Sequence, residues 1–245
     1  MPDLSDTVAK CRMGTAKKFY TSIASLSHTS EYCGGVFPRG LTQYGRKSAC
    51  HMGVKTMKLH YMGKYNLDPD SLPHGEHKPG AVKFKEPDST GELSRVVSKY
   101  SLILLAVLMT ALLYRYRSIP SGQWLIGFVL FLASLFPHEL LHALCFRGDV
   151  YLYTNLLQGM LFVVGTEDMS KGRFVFMSLL PNIIFGLVPF VAAMALPDLG
   201  WLGVFGVVSL TAGTGDFYNI KNALTQMPKH ARCYLYKYNS YWYMP

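Results

Sequence analysis

Charge is what this sequence has least of. Only 16% of its 245 residues are Asp, Glu, Lys or Arg, against about a quarter in an ordinary soluble domain. The shortfall is uneven: the first ninety or so residues are polar and rich in Gly and Pro, so the charge is missing from the remainder. That argues against an ordinary soluble chain and predicts a membrane domain behind a polar N-terminal region. Paired cysteines are lacking as well. Cys11, Cys33, Cys50, Cys145 and Cys233 are odd in number and widely spaced, which excludes a disulfide framework and a cysteine-rich zinc module. The start lacks the basic-then-apolar pattern of a cleaved signal peptide, so none is expected. The net charge of +9 comes from Lys and Arg that flank apolar runs instead of clustering on one element, so nucleic acid is not expected as a partner.

What is present is four apolar segments: Val96 to Tyr114, Trp124 to Phe146, Phe174 to Leu196 and Leu199 to Ile220. Each has roughly the 20 residues that a helix needs to cross about 30 Å of hydrocarbon. The expected fold is therefore an all-α membrane protein of about four transmembrane helices. Between the second and third, "VYLYTNLLQGMLFVVGTED" alternates and carries β-branched and aromatic residues. It predicts a short β-hairpin turning near Gln158-Gly159.

Basic residues orient the spans. Lys83, Lys85, Arg95 and Lys99 precede the first helix. Arg147, Lys171 and Arg173 lie between the second and third, and Lys221, Lys229, Arg232 and Lys237 follow the fourth. Only Arg115 and Arg117 fall on the other side. The expectation is a multi-pass cell-membrane protein with both termini in the cytoplasm.

The second segment ends in "LFPHELLHALCFRGD". On a helix His138 and His142 are four apart, so both imidazoles reach one metal. Glu139 is offset by about 100° and suits a general base beside a metal-activated water. Such ionisable groups are costly inside a membrane and are usually functional there. A third ligand is required. Asp216, in "TAGTGDFYNI", is the first choice: it and His142 each lie about 7 Å before a boundary cation, Lys221 or Arg147, at 1.5 Å rise per residue. Glu167 and Asp168 are rivals in what reads as a solvated turn. A third histidine six residues after His142 is absent, since Gly148 stands there. Pro137 removes a backbone hydrogen bond beside the first ligand. Asn182, after Pro181, has two readings, a donor to an oxyanion or substrate and a bond between helices. His74, Glu76 and His77, in the turn-rich "PHGEHKPG", make a much weaker metal candidate.

These motifs also carry a resemblance. From Met57 onward, "FPHELLHALCF", "SLLPNIIFG", "GTGDFYNI" and "SYWYMP" resemble a bacterial family of zincin-peptidase type, a membrane domain of unknown function. That family is similar in layout to the site-2 intramembrane metalloproteases. The resemblance implies zinc held by His138, His142 and Asp216, with Glu139 as base. Asn182 matches the polar residue of their middle core helix only loosely. The acidic site reads Gly215-Asp216-Phe217, not the Asn-Pro-Asp-Gly or Leu-Asp-Gly common in site-2 proteases.

The chain divides into a polar extension (1–56), a cytoplasmic N-terminal segment (57–93), a four-helix metallopeptidase-like domain (94–226) and an aromatic tail (227–245). The leading expectation is a zinc-dependent membrane endopeptidase working near the cytoplasmic face on a membrane-associated protein or peptide. The alternatives are an inactive zinc-binding scaffold or regulator, and a zinc hydrolase of lipid-like amides or esters.

Overall fold

The computed structural model describes residues 57–245. The polar extension 1–56, with Cys11, Cys33 and Cys50, lies outside the described residues. Helix α1 spans Thr90–Tyr116 and begins where the Ser89 side chain accepts the Glu92 N–H, an N-cap that satisfies one otherwise orphaned donor. Helix α2 spans Ser121–Leu144. Helix α3 covers Lys171–Ala195, with a π-helical stretch at Asn182–Leu187. These three are long and apolar enough to cross a membrane. Their outer faces stay uncovered by protein: Leu102 and Val107 on α1 and Leu125 and Leu132 on α2 are all at least half exposed. Apolar surface on this scale is stable against lipid and not against water.

The fourth apolar segment corrects the sequence expectation. It is not one helix from Leu199 to Ile220 but two, α4 (Gly200–Ala212) and α5 (Thr214–Gln226), separated by Gly213. Helix α4 is short and lies at the centre of the bundle, with most of its residues buried. Its glycines allow this. A Cβ on Gly203 would stand 2.3 Å from Leu112 of α1, and one on Gly206 2.6 Å from the Phe190 backbone nitrogen of α3. Small residues at helix contacts let backbones approach and replace the hydrophobic drive that lipid removes.

The all-α expectation is likewise corrected: the described residues are mostly helical, with seven strands in two small sheets among them. The first sheet has the order β1-β3-β4, with β1 (Lys58–Lys64) parallel to β3 (Asp149–Asn155). Strands β3 and β4 (Met160–Gly165) form an antiparallel hairpin through a single turn at Leu156–Gln158. Gly159 closes that turn at φ 64, a left-handed conformation that glycine adopts without strain. Strand β4 is the edge of this sheet. The second sheet has the order β2-β7-β6-β5, joining Val82–Lys83, Asn239–Tyr243, Arg232–Tyr236 and Met169–Ser170. The aromatic tail is therefore the β6–β7 hairpin, and the 57–93 segment contributes β1 and β2.

Strand pairing thus gathers three separate stretches of chain: the one before α1, the one between α2 and α3, and the one after α5. The other ends of the helices meet elsewhere. There the Tyr116 hydroxyl donates to Ala193 O at 2.6 Å, and the Trp201 N–H donates to Gln123 Oε1 at 3.0 Å. Three helices are long enough to cross a membrane, and the fourth apolar stretch is divided between the shorter α4 and α5.

Candidate metal centre

His138, Glu139 and His142 occupy the last turns of α2, which continues as helix through Pro137. Pro137 therefore costs the helix a hydrogen bond without ending it. The imidazole rings of His138 and His142 lie 4.9 Å apart, centroid to centroid, as the i, i+4 spacing requires. Ligand atoms of the two histidines and Glu139 all lie within 4.8 Å of one another.

Asp216 joins them from the first turn of α5. Its Oδ2 is 3.3 Å from His138 Nε2 and its Oδ1 is 3.3 Å from His142 Nε2. The break at Gly213 makes this possible, because it starts a new helix whose first turn faces the end of α2. His142 is fixed from behind: its Nδ1 is 3.0 Å from Met177 O. A carbonyl only accepts, so Nδ1 carries hydrogen. A neutral His142 then aims an Nε2 lone pair at a carboxylate oxygen. Acceptors facing one another across a small gap are what a cation between them satisfies. A backbone carbonyl behind a ligand histidine is the usual outer support of a zinc site. Two imidazoles and a carboxylate, with a fourth position left for water or substrate, form a donor set suited to catalytic zinc.

Asn182 stands at the start of the π stretch, next to Pro181, and is almost wholly buried. Its Nδ2 donates to Asp216 Oδ2 at 2.8 Å and to Ser178 O at 3.0 Å. Both amide hydrogens are taken, which leaves no donor for an oxyanion. The geometry makes Asn182 a support for Asp216 instead. Gly213 completes this support. A Cβ there would fall 1.8 Å from Asn182 Oδ1, although the φ of −76° at Gly213 is open to any residue. The need for glycine is steric. Gly213→Ala is expected to displace Asn182, loosen Asp216 and weaken zinc binding by about 10- to 100-fold, as loss of an outer partner does. Competition with a colorimetric chelator measures it, and unchanged affinity would show that Asn182 does not support the site.

The rival carboxylates are engaged elsewhere. Glu167 pairs with Arg173 and accepts the Arg147 N–H at 3.0 Å. Asp168 pairs with Arg232 and accepts the Tyr243 hydroxyl at 2.6 Å. Burial pushes the Asp168 carboxyl up, but hydrogen bonds from Tyr243 and Arg232 outweigh it and hold the group below its ordinary value. A lowered carboxyl contributes stability that is present above its unfolded pKa of about 3.9 and is lost as pH falls through the folded value. The melting temperature in detergent should therefore drop more steeply in acid for wild type than for Asp168→Asn. The difference should be small, since the two side chains are 36% and 31% exposed. Parallel acid profiles would remove Asp168 from the account.

His74 and His77 serve packing. His74 Nδ1 is 2.9 Å from Leu72 O, and His77 Nδ1 is 3.0 Å from the Tyr234 hydroxyl on β6. Cys145 and Cys233 are free thiols, and burial pushes the Cys233 thiol up to about 12, far from a metal-binding thiolate.

Two clefts reach the centre. One of ≈ 260 Å³ is lined by Leu93, His138, Glu139, Gly213 and Asp216, among others. Another of ≈ 410 Å³ runs from His138 and Glu139 past Phe131, Leu135 and Met160 toward the hairpin turn. Between them, the backbone of Val163 on β4 lies near the Glu139 carboxylate. The free edge of a sheet, a carboxylate and two imidazoles thus share one space. Residues 131–232 match the family described as "Putative zincin peptidase". The matched stretch contains His138, Glu139, His142, Asn182 and Asp216. No curated protein and no solved structure matches the chain.

Sequence reasoning did not find the Met177 carbonyl, the Val163 amide, the steric role of Gly213 or the position of Asn219. The first three act through backbone or through a missing atom, which residue type does not reveal. Asn219 had a signal, since it stands three residues after Asp216 and shares its helix face.

Proposed function

We propose that the protein is a zinc-dependent membrane endopeptidase that hydrolyses peptide bonds near the cytoplasmic face. The observation that carries this reading is the convergence of His138, His142 and Asp216 beside Glu139, at the end of an apolar helix and against the free edge of β4.

His138, His142 and Asp216 would hold the metal, with Met177 O orienting His142 and Asn182 orienting Asp216. Zinc, when bound, acts as a Lewis acid and lowers the pKa of a coordinated water to about 7. Glu139 takes a proton from the attacking water on a carboxylate oxygen and delivers it to the amide nitrogen that leaves. The products are one new carboxyl group and one new amine. Strand β4 orders the substrate. An extended peptide added to its edge gains backbone hydrogen bonds and lies across Glu139.

The location follows the same logic. The three basic stretches that the charge pattern assigns to the cytoplasm are the ones the two sheets gather. Both termini then face the cytoplasm, and the metal centre stands between the sheets and the apolar length of α2.

The test uses purified zinc-loaded protein in lipid vesicles with a panel of single-span peptides, followed by mass spectrometry. Cleavage near one end of the span, abolished by a chelator and restored by zinc, is the expected result. No peptide product above the Glu139→Gln background would sink the reading, and hydrolysis of acyl amides alone would favour a lipid-directed hydrolase.

A further inference from the structure

Asn219 lies one turn after Asp216 on α5 and has no part in the metal centre. It is half-buried, and among the described residues its carboxamide makes no hydrogen bond. Its carboxamide atoms are not sealed from solvent, so they are open to a molecule that enters the clefts. Asn219 also stands where clefts meet. It lines the ≈ 260 Å³ cleft that holds His138, Glu139 and Asp216. It lines a second cleft of ≈ 350 Å³ between β4, the 57–93 segment and the β6–β7 hairpin.

The second cleft is apolar and ready-made. Tyr65, Leu72, Phe162 and Leu235 supply its walls, and Val163, whose backbone lies near Glu139, lines it too. Tyr65 and Phe162 brace each other at 5.4 Å. The charged groups at its rim are already used: Glu86 accepts the Ser240 N–H at 2.6 Å, and Lys237 pairs with Asp70 at 2.6 Å. Its size falls within the range of about 300 to 1,000 Å³ typical of ligand pockets, which combine apolar walls with a few placed polar groups.

We propose that this cleft is a substrate subsite: it takes one large apolar side chain of an extended peptide lying along β4, and the Asn219 carboxamide holds the peptide backbone between that subsite and Glu139. The proposal rests on the peptidase reading above. A carboxamide offers a donor and an acceptor together, the complement of a peptide group. Side chains alternate along an extended strand, so a peptide on the β4 edge sends every second residue toward one side. Phe162 and Val164 of β4 both line the cleft, which places the subsite two residues' reach along that edge. Asn219 is then a substrate-binding residue and not a metal ligand.

The test uses the full chain, zinc-loaded, in detergent, with a pool of quenched-fluorescent peptides varied at one position. Binding is read by anisotropy in the Glu139→Gln background and turnover in wild type. Asn219→Leu, close in shape, is expected to raise Kd and KM about tenfold, the scale of one lost hydrogen bond pair, with kcat changed far less and zinc content unchanged. Phe162→Leu widens the cleft and should shift preference at one peptide position from Leu toward Trp by about tenfold. If Asn219→Leu loses zinc, Asn219→Asp supplies the same comparison with the side-chain shape kept. Unchanged Kd in the Asn219 variants, a loss in kcat alone, or an unmoved preference in Phe162→Leu would overturn the subsite. Peptides that bind through Asn219 yet are not cleaved by wild type would overturn the peptidase reading and leave the binding cleft standing.

Discussion

Glu139→Gln is expected to slow peptide hydrolysis by about 10²- to 10⁴-fold, the range that a general base contributes, while zinc stays bound. The substitution keeps the side chain's size and removes its ability to take a proton. Glu139 is placed beside the histidines by their shared helix, so the local fold should survive. The expected signature is therefore lost turnover with an unchanged melting temperature and unchanged zinc. Turnover near the wild-type rate would remove Glu139 from the chemistry and leave a binding protein.

Asp216→Ala should do the reverse. Metal is lost first, and activity follows from that. Support residues around a zinc ligand are worth about 10- to 100-fold in affinity, so loss of a ligand should exceed a hundredfold. The pair of variants also decides between two arrangements. Ligand atoms of Glu139 fall within 4.8 Å of both imidazoles, and Asp216 touches both at 3.3 Å. If zinc binding survives Asp216→Ala and fails in Glu139→Gln, the third ligand is Glu139 and the assignment of a base must be abandoned. Metal analysis of the two purified variants beside wild type reads this directly. Asp216→Ala also leaves one Asn182 amide hydrogen without its acceptor, so some loss of stability is expected along with the metal.

Much of the site was legible because its spacing is local. His138, Glu139 and His142 are fixed relative to one another by a single helix, and helix geometry is known in advance. Asp216 was reached by a longer argument, from equal depth beneath two basic boundaries, and the structure brings it within contact of both histidines. The break at Gly213 was not legible. Thr214, Gly215 and Asp216 follow Gly213 directly, but the need for glycine there depends on an Asn182 side chain thirty-one positions away in the sequence. The β3–β4 hairpin was expected from its alternation, but the joining of distant stretches into two sheets was hidden for a similar reason. Strand β1 pairs with β3, which is far along the chain, and nearly all of β1 is exposed, so it has no buried face to show as alternation. Pro137 raised the prospect of a kink that the helix does not need in order to present its ligands.

The parallel pairing of β1 with β3 sets an order of assembly. The chain between them is α1 and α2, so the two strands cannot meet until both helices have entered the bilayer and lie side by side. Strand β4 joins through β3. The edge that borders Glu139 is thus a late product, delayed by a long loop closure of the kind that slows folding. On this topology the helices precede the sheet, and the β4 edge beside Glu139 is completed last. A chain still being inserted carries its His-Glu-Leu-Leu-His helix end without strand β4 beside it. On the peptidase reading proposed above, that order would keep the half-made protein from cutting the membrane proteins around it.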